Sequence, residues 1–240
     1  MPNQTQKTDT AVILVGGKGT RLQSVVADVP KPLANIAGKP FLFLLLQTLA
    51  AQGIKKVILL TGYMHEKIVA ACQDGSAFGL QIIYSQENQA LGTAGALCNA
   101  ETILNTLDEF ILLNGDTFLE CSIEPLLCQR LTDQTQGIIC VCQPDEIERF
   151  GSVVLGPQNQ IEAFREKHSQ STGYVNAGIY KLSHDILKLI PKNQFCSLET
   201  DIFPQLVSKK ALSGLILNGL FYDIGTPESY KAFNIKQAQA

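Results

Sequence analysis

Short apolar runs alternate with longer segments of mixed polarity over the first 142 residues of the chain. The runs are rich in Val, Ile and Leu, as buried strands are, and they cover 11–15, 56–62, 80–85, 110–116 and 137–142. The segments between them fit helices at about 41–52, 65–72, 94–104 and 123–131. Strands that alternate with helices in this way predict an α/β fold, a Rossmann-like three-layer arrangement with a mostly parallel sheet and helices on both faces.

The pattern changes from residue 151 onwards. Short strands are predicted at 152–155, 161–164 and 174–182, helices at 183–189 and 198–209, one or two strands within 213–225, and a last helix that begins at Pro227. No repeat and no Pro/Gly/Ser-rich linker separates this region from the first. We therefore expect residues 1–10 to form a flexible tail and residues 11–240 to form a single domain.

The composition supports a large core and excludes several classes of protein. Of the 240 residues, 45% are hydrophobic and 17% are charged, so the chain can bury enough apolar surface to fold. The formal net charge is −3, which does not suit binding to nucleic acid. The longest uncharged stretch, 40–54, is shorter than the roughly 20 apolar residues that a membrane span needs. We expect no nucleic-acid partner and no membrane partner.

The cysteines and the N-terminal residues indicate a compartment. The seven cysteines are an odd number and lie within apolar stretches of a chain that is large enough to fold without disulfides. No spacing of Cys and His fits a zinc site, and Cys140 and Cys142 share one face of a predicted strand as packing residues. Residues 1–10 are polar and contain no apolar signal region. We expect a cytoplasmic protein.

The first candidate for chemistry is the turn GGKGTR at 16–21, directly after the first strand. Backbone N–H groups of a glycine-rich turn can approach phosphate oxygens closely, and Lys18 and Arg21 add positive charge. The dinucleotide fingerprint GxGxxG does not fit, because Leu22 stands where the last glycine belongs, and the Walker A pattern is absent. A plain turn is the alternative interpretation.

Two prolines enclose Lys31 at 30–32. Each proline fixes its own φ and favours an extended residue before it, so we expect Lys31 on a stiff, non-helical segment. An ammonium held in this way suits a polyphosphate. The alternative is a solvated lysine in a loop.

Two aspartates follow predicted strands. Asp116 ends the run FILLNGD and Asp223 ends LFYD. Ligands of open α/β sheets bind beyond the carboxyl ends of the strands, where carboxylates can hold a hydrated divalent cation. The alternative role for each is to cap a turn.

Three further segments carry candidate binding residues. The loop 87–95, ENQALGTAG, has small residues against which a planar base can lie. In 164–167, Lys167 can pair with a phosphate, and Glu166 and Asn176 can bind hydroxyl groups. Ordinary loops and surface charges are the alternatives. The three histidines fit no HxxxH or HExxH spacing and no GxSxG motif occurs, which disfavours imidazole or serine catalysis.

Taken in order, the motifs GGKGTRL…PKP, ENQALGTAGAL, LNGDTF, FREK, VNAGIY and FYDIGTPESY resemble those of the sugar-1-phosphate nucleotidylyltransferases. The resemblance covers about residues 11–232. Within that family the chain is most similar to the D-glycero-α-D-manno-heptose 1-phosphate guanylyltransferases, through the segments 19–42, RFGSV at 149–153, FCSLE at 195–199 and the DIGTPESY ending.

The resemblance implies the nucleotide-diphospho-sugar transferase fold and roles for the matching residues. The implied nucleotide contacts are Leu14, Gly16, Gly17, Gly19, Thr20, Arg21, Lys31, Glu87, Gly92 and Thr93. The implied sugar-phosphate contacts are Gly151, Glu166, Lys167, Asn176 and Gly178. Asp116 and Asp223 match the metal-binding pair, and the implied catalytic set is Arg21, Lys31, Asp116, Lys167 and Asp223. Lys18 is assigned no role, and the nucleotide-binding half is expected at about 11–120 and the sugar-phosphate half at about 121–240.

The implied reaction joins GTP to D-glycero-α-D-manno-heptose 1-phosphate with Mg²⁺, giving GDP-heptose and pyrophosphate for cell-surface polysaccharide assembly. The alternatives are a mannose-, glucose- or amino-sugar-1-phosphate enzyme that uses GTP, UTP or dTTP, and a non-catalytic nucleotide-sugar sensor. A dinucleotide oxidoreductase is disfavoured by Leu22. The apolar composition permits a homodimer without requiring one.

Overall fold

A computed structural model describes residues 8–144, 150–165 and 173–239. Its largest feature is a nine-stranded sheet. The strands of this sheet are β1 (Thr10–Leu14), β4 (Lys56–Thr61), β5 (Gln81–Gln86), β6 (Glu109–Asn114), β8 (Gly137–Cys142), β9 (Ser152–Leu155), β10 (Ile161–Arg165), β11 (Tyr174–Ser183) and β12 (Leu212–Ile216). Two small ribbons pair β2 (Asn35–Ile36) with β3 (Lys39–Pro40), and β7 (Thr117–Glu120) with β13 (Leu220–Asp223).

The directions of the strands confirm the predicted fold class. In the order β5, β4, β1, β6, neighbours are parallel, and β12 is parallel to β8. Strand β11 is antiparallel to β6, β8 and β9, and β10 is antiparallel to β9. Within the described residues, β10 and β11 therefore run in the opposite direction to the other strands of the sheet, which is mostly parallel. Of the strands in the two ribbons, β13 lies within the region 213–225 where one or two strands were predicted, whereas β2, β3 and β7 were not predicted.

Helices cover both faces of the sheet. They are α1 (Phe41–Ala51), α2 (His65–Cys72), α3 (Gly92–Asn99), α4 (Glu101–Leu104), α5 (Glu124–Cys128), α6 (Phe203–Ser208) and α7 (Pro227–Ala238). Ile13 of β1 packs in one core with residues of α1 and α2, whereas its neighbour Val12 packs in a second core with residues of α3 and α6. This alternation along a single strand gives the three layers.

Two local predictions are corrected by the structure. Lys31 was predicted to lie on a non-helical segment, but it begins a 3₁₀ turn over Lys31–Leu33. Pro32 is compatible with this turn because the first N–H groups of a helix need no intrahelical partner. The helix predicted over 94–104 begins earlier and is interrupted at Ala100, between α3 and α4.

No helix in the described ranges combines the length and the apolar character that a membrane crossing requires.

Candidate functional site

The candidate site lies at the carboxyl edge of the parallel strands. The loops after β1, β4, β5 and β6 surround a cavity of about 720 Å³. Ligand sites of open α/β sheets lie at this edge. The lining includes the predicted residues Leu14, Gly16, Gly17, Glu87, Gly92, Thr93 and Asp116. It also includes Asn88, Gln89 and Ala90 of the loop 87–95, which was predicted to face a base, and residues to which the sequence had assigned no role: Lys18, Leu60, Gly62, Tyr63, Gln86, Ala96, Asn114 and Phe195.

The carboxyl group of Glu87 is held against two glycine backbones. A methyl group on Gly16 would lie 3.2 Å from Glu87 Oε1, and one on Gly62 would lie 2.9 Å from the same atom. The backbone N–H of Leu91 donates to Glu87 Oε2 at 3.2 Å. Burial raises the pKa of Glu87, and the Leu91 hydrogen bond only partly offsets this rise. The site thus contains a partly buried carboxyl group that further hydrogen-bond donors would stabilise as the anion.

A second cavity of about 250 Å³ adjoins the first, and Gly17 and Asp116 line both. The second cavity contains Gly19, Thr20, Arg21 and Lys31, the residues predicted to meet phosphates. Gly19 has a φ of +60°, and a methyl group there would lie 2.8 Å from Lys31 Cβ. Only glycine therefore allows the turn to pack on Lys31 in this conformation.

Asp116 lines both cavities and pairs with Lys31, and Asp223 lies near this pair. Lys31 Nζ donates to Asp116 Oδ2 at 2.5 Å. The antiparallel ribbon of β7 and β13 aligns Asp223 with Thr117, and the N–H of Ile224 donates to the carbonyl of Asp116 at 2.9 Å. A methyl group on Gly225 would lie 3.1 Å from Asp223 Oδ2 and 3.7 Å from Lys31 Nζ. The fold thus places Asp223, which lines neither cavity, near the pair of Asp116 and Lys31, although it is far from both in sequence.

The donor set at this boundary fits a hard divalent cation. Magnesium is usually bound through one or two carboxylates together with substrate phosphates, rather than by an all-protein cage. The side chain of Asp116 remains 39% exposed although it is paired with Lys31, so one side of the carboxylate is open to the cavities. The Lys31 ammonium already occupies a place beside Asp116 that suits positive charge.

The predicted acceptor residues are only partly within the described ranges. Asn176 and Gly178 lie on β11, where Asn176 Nδ2 donates to the Tyr180 hydroxyl at 3.0 Å. Gly151 directly precedes β9. Glu166 and Lys167 lie outside the described residues.

A short segment at 195–199 covers the amino end of α3. The carbonyl of Cys196 accepts hydrogen bonds from the N–H groups of Ala94 and Gly95 at 3.0 and 3.1 Å. Thr93 accepts from the N–H of Leu198 and donates to Glu199 Oε2, both at 2.8 Å. Two of the first N–H groups of α3 are therefore satisfied by this segment, and Thr93 links the segment to the loop 87–95.

We expect Gly178→Ala to damage the site through the backbone. Gly178 has a φ of +70°, and a methyl group there would lie 2.5 Å from Thr117 Oγ1 and 2.9 Å from Asn114 Nδ2. The strain and the overlap should lower the free energy of unfolding by about 2 kcal/mol or more. Chemical denaturation of both proteins measures this, with Gly79→Ala as a control, because Gly79 also has a positive φ but has open space around it. If Gly178→Ala and Gly79→Ala lowered the free energy of unfolding equally, the steric overlap of the added methyl group with Thr117 and Asn114 would be contradicted.

Comparison with known proteins places this geometry in a family. The model of the nucleotidyl transferase family matches residues 10–240. The chain belongs to the nucleotidyl transferase family. A D-glycero-alpha-D-manno-heptose 1-phosphate guanylyltransferase of Campylobacter jejuni is 36% identical over 225 residues, which are 94% of this chain and 98% of that protein. A mannose-1-phosphate guanylyltransferase of Mycobacterium tuberculosis is 35% identical over 92% of this chain and 62% of that protein.

Solved structures of other proteins share this fold. The crystal structure of HddC from Yersinia pseudotuberculosis matches with a TM-score of 0.84 and 33% identity, over 95% of this chain and 99% of that one. HddC complexed with GMP-PN matches with a TM-score of 0.83. The resemblance predicted from the motifs is confirmed, and with it the prediction that the chain is an enzyme.

Proposed function

We propose that the protein transfers the guanylyl group of GTP to D-glycero-α-D-manno-heptose 1-phosphate with the help of Mg²⁺, giving GDP-heptose and pyrophosphate. The observation that carries this proposal is the pair of Asp116 and Lys31, with Asp223 nearby, between a cavity large enough for a nucleoside and a basic cavity suited to phosphates. A triphosphate that spans both cavities has its phosphates beside these charges.

In the proposed reaction, a phosphate oxygen of the sugar phosphate attacks the α-phosphorus of GTP. The new P–O bond forms as the bond between the α-phosphorus and the bridging oxygen breaks, and the electron pair leaves with pyrophosphate. The nucleophile is anionic at neutral pH and needs no general base. This agrees with the lining of the two cavities, which contains no histidine in the described part of the chain.

The side chains then act by position and charge. Arg21 and Lys31 hold the triphosphate, and Lys31 stabilises the charge that develops on pyrophosphate. Mg²⁺, when bound by Asp116 and Asp223, neutralises phosphate charge. For the acceptor we propose Lys167 at the phosphate and Glu166 and Asn176 at hydroxyl groups, with Gly151 and Gly178 allowing close backbone approach. We also propose that residues 11–120 form the nucleotide-binding half and 121–240 the acceptor half.

Glu87 supports guanine as the base. The Watson–Crick edge of guanine presents two adjacent N–H donors, which one carboxylate can accept together. Uracil and thymine present one N–H between two carbonyl oxygens, and those oxygens would repel the carboxylate. Glu87 lines the larger cavity and accepts one backbone hydrogen bond from Leu91, so it is fixed in place. A base with two donors would stabilise its charged form.

We expect Glu87→Gln to weaken the preference for GTP. Glutamine keeps the shape but replaces one acceptor with a donor, so kcat/KM for GTP should fall by about 10- to 100-fold while the value for UTP or dTTP stays level or rises. Initial rates with each triphosphate measure this. Because burial raises the pKa of Glu87, the KM for GTP of the unaltered protein should rise on acidification, and this rise should be weaker in the variant.

The sugar is proposed from the relatives' names. Two heptose 1-phosphate guanylyltransferases are 36% and 35% identical to this chain and match it over nearly their full length. Mannose-1-phosphate guanylyltransferases are about as similar in the matched part, so mannose 1-phosphate is the second candidate acceptor.

A matrix of assays tests the proposed pair of substrates. GTP, UTP, dTTP, CTP and ATP are each combined with heptose, mannose, glucose and N-acetylglucosamine 1-phosphates, and pyrophosphate release is measured. The highest kcat/KM is expected for GTP with the heptose phosphate. A higher value for another pair would replace the substrate assignment, and no release from any pair would favour the non-catalytic sensor.

The biological setting follows from the same proposal. A GDP-heptose donor serves the assembly of cell-surface polysaccharide, and we propose that it is made in the cytoplasm, where nucleoside triphosphates are available. None of the seven cysteines, all of which lie in the described ranges, forms a disulfide, and this is compatible with the proposed compartment. A homodimer remains compatible with the composition.

A further inference from the structure

Phe195 is an aromatic residue that the fold leaves exposed. It is 70% exposed, the largest exposed fraction among the large hydrophobic residues of the described chain. The others, Val25, Leu220 and Ile235, line neither cavity, whereas Phe195 lines the larger one. An exposed aromatic ring beside a cavity is available to bury a flat apolar surface of a ligand.

The segment that carries Phe195 packs closely on the amino end of α3. Gly92 has a φ of +75°, and a methyl group on it would lie 2.5 Å from the Cys196 carbonyl oxygen and 3.2 Å from Phe195 Cε2. A methyl group on Gly95 would lie 2.9 Å from the carbonyl oxygen of Gln194. The two glycines therefore let residues 194–196 approach the backbone of α3, and the edge of the Phe195 ring lies beside Gly92.

Leu91 connects this segment with Glu87. The N–H of Leu91 donates to Glu87 Oε2 at 3.2 Å, and its carbonyl accepts from the N–H of Cys196 at 2.8 Å. One residue thus holds both the carboxyl group proposed to bind the base and the backbone next to the aromatic ring. Because Glu87 and Phe195 line the same cavity, these contacts place the ring at the end of the cavity proposed for the base.

A second anchor holds the segment on the other side of Cys196. The hydroxyl group of Thr93 accepts from the N–H of Leu198 and donates to Glu199 Oε2, both at 2.8 Å. Together with the hydrogen bonds of Cys196, this fixes the backbone that follows Phe195. Little backbone order is then lost when a ligand contacts the ring, which favours binding.

We propose that Phe195 is a nucleoside-binding residue, and that its ring packs against the face of the nucleobase. The proposal deepens the proposed function and rests on it, because it takes the larger cavity to hold the base of GTP. Every base has a π face, so stacking on an aromatic side chain does not depend on the donors and acceptors at the edge of the base. Phe195 therefore adds affinity, and Glu87 selects the edge.

Replacement of the ring tests the contact by calorimetric titration with a GTP analogue that has a methylene group between the α- and β-phosphorus. In Phe195→Ala we expect the Kd of this analogue to rise by about 10-fold or more. Phe195→Trp keeps an aromatic face and should bind nearly as the unaltered protein does. The melting temperature of Phe195→Ala should not fall, because the residue is exposed. An unchanged Kd in Phe195→Ala would overturn the proposal.

Kinetics of the same variant separate the two substrates. At saturating GTP, we expect kcat and the KM for heptose 1-phosphate in Phe195→Ala to change by less than about threefold, whereas the KM for GTP rises in parallel with the Kd. A rise in the KM for heptose 1-phosphate with an unchanged KM for GTP would assign the ring to the acceptor and overturn the proposal.

A fluorescence titration tests whether the ring meets the base or the phosphates. The chain contains no tryptophan, so Phe195→Trp provides a single reporter. The GTP analogue alone should change its emission, and tripolyphosphate, which has no base, should cause a much smaller change. The control is Ile235→Trp on α7, 62% exposed in the unaltered chain, which should respond to neither. Equal responses of Phe195→Trp to the analogue and to tripolyphosphate would contradict contact with the base.

Failure of this proposal and failure of the proposed function are distinguishable, because both titrations measure binding and need no transfer. If the unaltered protein transfers no guanylyl group in the assay matrix but Phe195→Ala weakens binding of the analogue, the proposed function fails and the contact with the base stands. If transfer occurs and Phe195→Ala binds the analogue normally, the contact fails and the proposed function stands.

Discussion

Asp116→Ala should reduce kcat by about 1000-fold or more, since the loss of a metal-holding carboxylate removes several kcal/mol of transition-state stabilisation. Asp116 lines both cavities and pairs with Lys31 at 2.5 Å. Its removal takes a ligand from the proposed metal and also leaves Lys31 without this counter-charge. Single-turnover rates at saturating GTP, heptose 1-phosphate and Mg²⁺ measure the effect.

The control for Asp116→Ala is Asp133→Ala, which removes an exposed carboxylate from a turn away from both cavities. That variant should keep the rate of the unaltered protein. Asp223→Ala should resemble Asp116→Ala, because the ribbon of β7 and β13 aligns Asp223 with Thr117, the neighbour of Asp116, and both carboxylates are proposed to hold the metal. Near-normal turnover of either site variant in Mg²⁺ would show that the pair does not hold the metal.

Lys31→Met should reduce kcat by about 100- to 1000-fold. The variant keeps much of the side-chain volume that packs on Gly19 but loses the charge proposed to stabilise departing pyrophosphate. The side chain of Lys31 is only 11% exposed, so its charge acts in a partly desolvated place. Burst and steady-state kinetics with GTP measure the loss.

A second readout separates charge from packing in Lys31→Met. Lys31 competes with a cation for Asp116 in the free protein, so the variant should bind Mn²⁺ more tightly than the unaltered protein when no nucleotide is present. The control is Lys39→Met, which replaces an exposed lysine on β3 and should change neither kcat nor the affinity for Mn²⁺. Weaker Mn²⁺ binding in Lys31→Met would show that Lys31 does not oppose the cation.

The order of the elements could be predicted from local pattern, because a buried strand and an amphipathic helix have different periods. Three candidate functional features could be recognised in the sequence because each follows or ends a predicted strand. They are the turn at 16–21, the loop at 87–95 and Asp116. Their convergence follows from parallel strands, whose carboxyl ends meet at one edge.

The backbone proximity of Asp116 and Asp223 could not be predicted from periodicity. It depends on the pairing of β7 with β13, two four-residue strands that are about a hundred residues apart. Neither strand is long enough to show a clear alternation, and nothing local specifies the partner. Phe195 was missed for a similar reason, since it lies in a loop with no distinguishing pattern and reaches the cavity only by docking on α3.

The most direct test of the account is ³¹P NMR of the purified protein with GTP, D-glycero-α-D-manno-heptose 1-phosphate and Mg²⁺. Attack of the sugar phosphate on the α-phosphorus predicts that the signals of a nucleoside diphosphate sugar and of pyrophosphate appear together in equal amounts, as GTP and the sugar phosphate disappear. Release of orthophosphate with free GDP, or of GMP without the diphosphate sugar, would contradict the account.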